Sequence, residues 1–124
     1  MKILPFTAAA VPLSAAIENA GTVYFSGQVA FRNGAIAGNT VEEQTGIVFD
    51  EFERLLGQLG LDLGNVIKTT VWLTDQKLFA AFNAAYKARL TPPYPVRSTV
   101  ISGLAIPGAL VEIEMLASKE PRQG

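Results

Sequence analysis

Neither histidine nor cysteine occurs in the 124 residues, so a Ser-His-Asp triad, a thiolate nucleophile and a His or Cys zinc site are all excluded. Asp, Glu, Lys, Arg, Tyr and hydroxyls remain. Oxygen-ligated Mg or Ca stays open by residue type, but no acidic loop of EF-hand spacing and no Gly-rich phosphate loop is present. The expectation is chemistry with no metal and no cofactor. Arg97 and Glu112 stand out because each lies in an otherwise apolar stretch, where an unpaired charge is costly. In the plainer reading they pair across neighbouring strands as a structural bridge, which periodicity alone favours, since structural ion pairs are common. In the sharper one Arg97 forks onto a substrate carboxylate while Glu112 positions or deprotonates a water, an arrangement suited to small 2-keto or 2-imino acids. Ser26, within Phe25-Ser26-Gly27-Gln28, is either a strand-end hydroxyl bonded to backbone or a donor to substrate. Gly27 would let a ligand approach the backbone closely.

These residues need elements to hold them. Residues 22–29, TVYFSGQV, are β-branched and aromatic and read as a strand, with Asn33-Gly34 as a hairpin turn beyond it. Residues 13–17 read as a further strand, and residues 1–6 as a short edge strand closed by Pro5. Thr40-Val41-Glu42-Glu43 matches a capping box, and the stripe Val48, Phe52, Leu55, Leu56, Leu59 followed by Gly60 predicts a helix over 41–59. Residues 66–73, VIKTTVWL, read as a strand with Ile67, Thr69, Val71 and Leu73 on one face and Lys68, Thr70 and Trp72 on the other. Asp75 is placed to cap a second helix carrying Leu78, Phe82, Ala85 and Tyr86, which Pro92-Pro93 ends. Asn83 and Tyr86 are expected to stabilise that helix rather than meet a ligand. Two strands, 96–102 and 110–117, complete the chain. On the last, Glu112 and Glu114 share one face while Val111, Ile113 and Met115 take the core side.

The order predicts an α+β fold, one mixed and mainly antiparallel sheet with both helices packed on the same face. One domain, residues 1–124, accounts for the length. Hydrophobic residues make up 49% and charged residues 17%, with a mean hydropathy of +0.28. That leaves too little charge to cover the surface. Polar residues interrupt every apolar run well short of the roughly 20 needed to span a bilayer, and the start lacks the apolar core of a signal peptide. The excess therefore points to self-association through the uncovered sheet face, where Lys68 and Trp72 would pack against a neighbouring copy. A net charge of −1 and scattered Lys and Arg disfavour nucleic acid as a partner. A membrane is likewise not expected as a partner, and zero Cys makes a cytoplasmic location the better expectation.

Ser26-Gly27-Gln28, residues 66–71 (VIKTTV), residues 82–86 (FNAAY), Pro95-Val96-Arg97-Ser98 and residues 110–114 (LVEIE) together resemble, in order and spacing, the signatures of the RidA (YjgF) family. The match runs from about Pro12 to Ala117. The resemblance implies a chorismate-mutase-like fold assembled as a homotrimer, with ligand sites in clefts between subunits. It also implies cofactor-free hydrolysis of reactive enamines or imines of the 2-aminoacrylate type to a 2-keto acid and ammonia. By position, Arg97 would bind the substrate carboxylate, Glu112 would orient or activate the attacking water, and Ser26 with Thr99 would line the pocket. Two departures stand out: Leu13 replaces the family's pocket tyrosine, and Thr99 replaces a frequent cysteine. The first implies a different imine, a lower rate, a larger unsaturated amino acid as substrate, or a binding or interaction trimer without turnover.

Overall fold

The computed structural model describes residues 1–4 and 11–122. Helix α1 (Val41–Gln58) begins where the capping box requires, with the Glu43 N–H donating to Thr40 Oγ1 at 3.1 Å and the Asn39 and Thr40 N–H groups donating to Glu43 Oε1. It ends at Leu59, because Gly60 turns left-handed at φ +72° and the Leu61 N–H reaches back to the Leu56 carbonyl. Val48, Phe52, Leu55 and Leu56 are buried along its inner stripe, and the Phe52 ring meets Phe25 edge-on.

Strands β1 (Lys2–Ile3), β2 (Ala16–Asn19), β3 (Thr22–Phe25), β6 (Val66–Leu73), β7 (Val96–Ile101) and β8 (Val111–Ser118) form one sheet in the order β1-β2-β3-β8-β6-β7. Strands β4 (Phe31–Arg32) and β5 (Ala35–Ile36) make a separate small hairpin around the expected Asn33-Gly34 turn. Only the β6–β7 pairing is parallel, and helix α2 (Phe79–Lys87) lies between those two strands in sequence as the crossover. Both helices cover one face, as expected. Val23, Phe25, Thr69, Val71, Leu73, Val111, Ile113, Met115 and Ala117 point into that core, while Lys68, Thr70, Trp72, Glu112 and Glu114 lie on the face the helices leave open.

Several local expectations shift, each for an identifiable reason. The stretch 22–29 does not run as one strand: pairing stops at Phe25 and resumes as a single bridge between Gln28 and Ile113. The strand expected at 13–17 starts later, at Ala16, and of the one expected at 1–6 only Lys2–Ile3 is seen, residues 5 and 6 lying outside those described. A β-bulge between Val66 and Lys68 leaves Val66, not Ile67, fully buried beside Ala117. Asp75 caps a 3-10 turn over Gln76–Leu78 through the Lys77 N–H, and α2 starts only after it. Among the described residues no helix is long and apolar enough to cross a membrane.

One buried side chain ties the loops around α1 together. Gln44, only 1% exposed, donates to the Gly38 and Gly108 carbonyls at 3.1 Å each and accepts from the Leu110 N–H at 2.8 Å. Replacing Gln44→Ala strands those three backbone groups in the interior. Denaturant unfolding should report a loss of about 3 kcal/mol, against well under 1 kcal/mol for the exposed Gln58→Ala.

Candidate active site

The parallel pairing sets Arg97 beside Thr69, hence on the helix-covered face. There the guanidinium lies over the Tyr86 ring, with its carbon 4.8 Å from the centroid, and close to Phe82 at 5.5 Å and Phe79 at 5.9 Å. Its Nη2 donates to Asn83 Oδ1 at 2.8 Å. Among the described residues no carboxylate lies within ion-pair distance of Arg97, so its other donors remain available for an anion. Tyr86 is fixed beneath it by a 2.7 Å bond between its hydroxyl and that of Thr69. Burial raises the Tyr86 pKa, while the Thr69 bond and the charges of Arg97 and Arg122 pull it back. Asn83, Tyr86, Lys87, Tyr94, Pro95 and Arg97 enclose a hollow of about 340 Å³.

This corrects the expectation for Asn83. Its side chain does more than stabilise α2: the amide oxygen accepts from the guanidinium that the sequence marks as a ligand for anions. Asn83 and Arg97 are 14 residues apart on different elements, and no spacing in the sequence joins them. Thr99, two residues beyond Arg97 on the same face, lines a separate hollow with Gln76, Lys77, Phe79 and Ile101.

Glu112 sits elsewhere. It pairs with Trp72 on β6, and its side chain lies on the open face. Strand β6 separates β7 from β8, so Arg97 and Glu112 are not on neighbouring strands and do not share a face. A bridge between them within one chain is ruled out by the alternation of the strands. The Glu112 carboxylate instead packs on Gly27, where a Cβ would come within 2.3 Å of Oε2. The space that Gly27 was expected to leave for a ligand is taken by this carboxylate. Burial, and then the neighbouring Glu114, raise the Glu112 pKa above the ordinary value of 4.5. Ser26 sits beside it, but its hydroxyl donates to the Ser14 carbonyl at 2.6 Å, so its single proton is engaged there. Ser14, Ile17, Tyr24, Phe25, Ser26 and Glu114 line a shallow hollow of about 360 Å³ on this face. Leu13, next to Ser14, is exposed. The sequence-marked residues thus fall into two candidate half-sites, Arg97 with Thr99 on one face and Glu112 with Gly27 and Ser26 on the other.

Known proteins match this chain along nearly its whole length. A family model described as "Endoribonuclease L-PSP" matches residues 5–119. The mouse protein named 2-iminobutanoate/2-iminopropanoate deaminase is 33% identical over 116 residues, spanning 92% of this chain and 86% of its own. The Schizosaccharomyces pombe protein named mmf2, mitochondrial, is 34% identical over 111 residues, 87% of this chain and 88% of its own. Among solved structures, RidA from an Antarctic Psychrobacter superposes with a TM-score of 0.83 at 33% identity, covering 90% of this chain and 91% of that one. With mitochondrial and chloroplastic proteins among these relatives, the fold alone does not assign a compartment.

The contact at Gly27 can be tested directly. In Gly27→Ala the new methyl displaces the Glu112 carboxylate towards solvent, which removes much of the burial that raises its pKa. Carboxyl ¹³C titration by NMR should give a Glu112 midpoint above 4.5 in the parent and a lower one in the variant.

Proposed function

This chain belongs to the RidA (YjgF) family, and on that premise we propose that it hydrolyses small 2-imino acids and their enamine tautomers to 2-keto acids and ammonia without a cofactor. The observation that carries the reading is the Arg97 guanidinium, stacked on an aromatic platform and held by a neutral amide, with no carboxylate of the described residues to neutralise it. A guanidinium so placed is a receptor for a small carboxylate. Since the Arg97 and Glu112 half-sites lie on opposite faces of one chain, a reaction using both requires two copies. The α2–β7 groove of one subunit would meet the open sheet face of the next in a homotrimer.

In such a cleft Arg97 fixes the substrate carboxylate, and the imine carbon is presented to a water held by Glu112. As the water oxygen bonds to that carbon, Glu112 accepts a proton from it and the nitrogen is protonated to an amine. Glu112 then passes its proton to that nitrogen, the C–N bond breaks with the pair leaving on ammonia, and the hydroxyl gives up its proton to solvent as the carbonyl forms, leaving the 2-keto acid and ammonia. The raised pKa of Glu112 makes it a stronger base than an ordinary carboxylate. Gly27 gives the carboxylate its place, Ser26 shapes the neighbouring loop through Ser14, and Thr99 lines the substrate side. Cleavage of RNA, the activity in the family model's description, is a poorer fit. Ten basic residues against eleven acidic ones, with Glu112 and Glu114 side by side on the open face, give no field for a polyanion. A cytoplasmic location remains part of this reading.

A coupled assay on iminopropanoate generated in place tests it. Arg97→Ala and Glu112→Gln should each lower kcat/KM by at least about a hundredfold. Saturable binding of 2-keto acids with no acceleration over buffer would instead select the binding-protein reading that Leu13 suggests. The ionised form of Glu112 is the active one, so activity should fall as pH drops through its raised pKa, with the acid limb above pH 4.5. Glu114→Gln removes the repulsion that contributes to that raised value, and the acid limb should move to lower pH.

A further inference from the structure

Near the end of the chain, Arg122 gathers more backbone acceptors than any other side chain among the described residues. Its Nη1 donates to the Leu63 carbonyl at 2.6 Å and the Val66 carbonyl at 3.0 Å, its Nη2 to the Thr91 carbonyl at 2.9 Å, and its Nε to the Pro93 carbonyl. Its own N–H donates to the Gly64 carbonyl at 3.0 Å. The guanidinium therefore joins the turn before β6 to the loop 91–95, which has no other side chain holding its carbonyls among the described residues. That loop supplies Tyr94 and Pro95 to the wall of the Arg97 hollow and leads straight into Val96 and Arg97. Arg122 also lies near enough for its charge to act on the Tyr86 hydroxyl, beneath the Arg97 platform.

We infer that Arg122 is a positioning residue for the anion-binding half-site, fixing the loop that forms one wall of the Arg97 hollow. Five donors arranged in a plane can satisfy four carbonyls from two segments at once, more than the three donors of an ammonium or the two of an amide can reach. Without it, Thr91 and Pro93 lose the only side-chain donor they have among the described residues, and the segment from Thr91 to Pro95, ahead of the β7 pairing, is free to move relative to β6. The guanidinium of Arg97 would then keep Asn83 and Tyr86 but lose its fixed wall.

The test compares Arg122→Ala and the milder Arg122→Lys with Asn65→Ala. Asn65 ties the same chain end through the Ser118 and Lys119 carbonyls without touching loop 91–95, so it controls for a general loosening of the C-terminal segment. Amide hydrogen exchange over 94–97 should speed up by about tenfold or more in Arg122→Ala, less in Arg122→Lys, and stay at the parental rate in Asn65→Ala. The inference builds on the proposed deamination only for its second readout, in which KM rises in Arg122→Ala while kcat stays within about twofold. Exchange over 94–97 unchanged in both Arg122 variants, or equally raised in Asn65→Ala, would overturn it. Because exchange is read without substrate, a chain that failed the imine assay would sink the proposed function and still leave this inference decided.

Discussion

Successive residues of a β-strand face opposite ways, and everything about the candidate site follows from how that alternation falls on β7 and β8. Register places Arg97 level with Thr69 and Glu112 level with Trp72, and Thr69 and Trp72 are an odd number of residues apart on the strand between them. The cation and the acid are thereby driven to opposite faces of a single sheet. Neither can neutralise the other within the chain, so both keep their charge available. Under the proposed function, the cost is that a single copy would not hold a complete site.

Each half-site is supported by a different kind of interaction. The guanidinium rests on the faces of aromatic rings, is steered by a neutral amide, and is backed by the buried Thr69–Tyr86 hydroxyl pair. Such a mount fixes direction without cancelling charge, because an amide oxygen satisfies a donor and leaves the net cation intact. Glu112 is held by fit instead: its carboxylate occupies the room left by the missing side chain of Gly27 and gains basicity from partial burial and the adjoining Glu114. An acid paired to a cation would have had its pKa lowered and would be a weaker base.

Much of this was legible in the sequence, and the misses have physical causes. The capping box at Thr40 and Glu43 fixed the start of α1, the β-branched run 66–73 gave β6 to the residue, and the alternation along β8 put Glu112 on the uncovered side. The family signatures marked Arg97, Glu112, Ser26 and Thr99 as candidates. Strand order was not legible, because adjacency in a sheet depends on long-range pairing: β6 lies between β7 and β8, so two strands consecutive in sequence end up separated by a third. That single fact undid the expected contact between Arg97 and Glu112. Asp75 was read as the cap of a helix, but a side chain that caps a 3-10 turn satisfies the same amide, and only the backbone beyond distinguishes the two. The role of Asn83 was hidden for a similar reason: an amide on a helix gives no sign of which strand will pass beneath it.

The central claim is that catalysis draws Arg97 from one copy and Glu112 from another, and subunit complementation addresses it most directly. Arg97→Ala and Glu112→Gln chains, each inactive alone, are unfolded together, refolded as a mixture and assayed. Random assortment in a head-to-tail ring gives about a quarter of the interfaces an intact pair, so about a quarter of the parental rate should return. A mixture no more active than its separate parents would contradict the account.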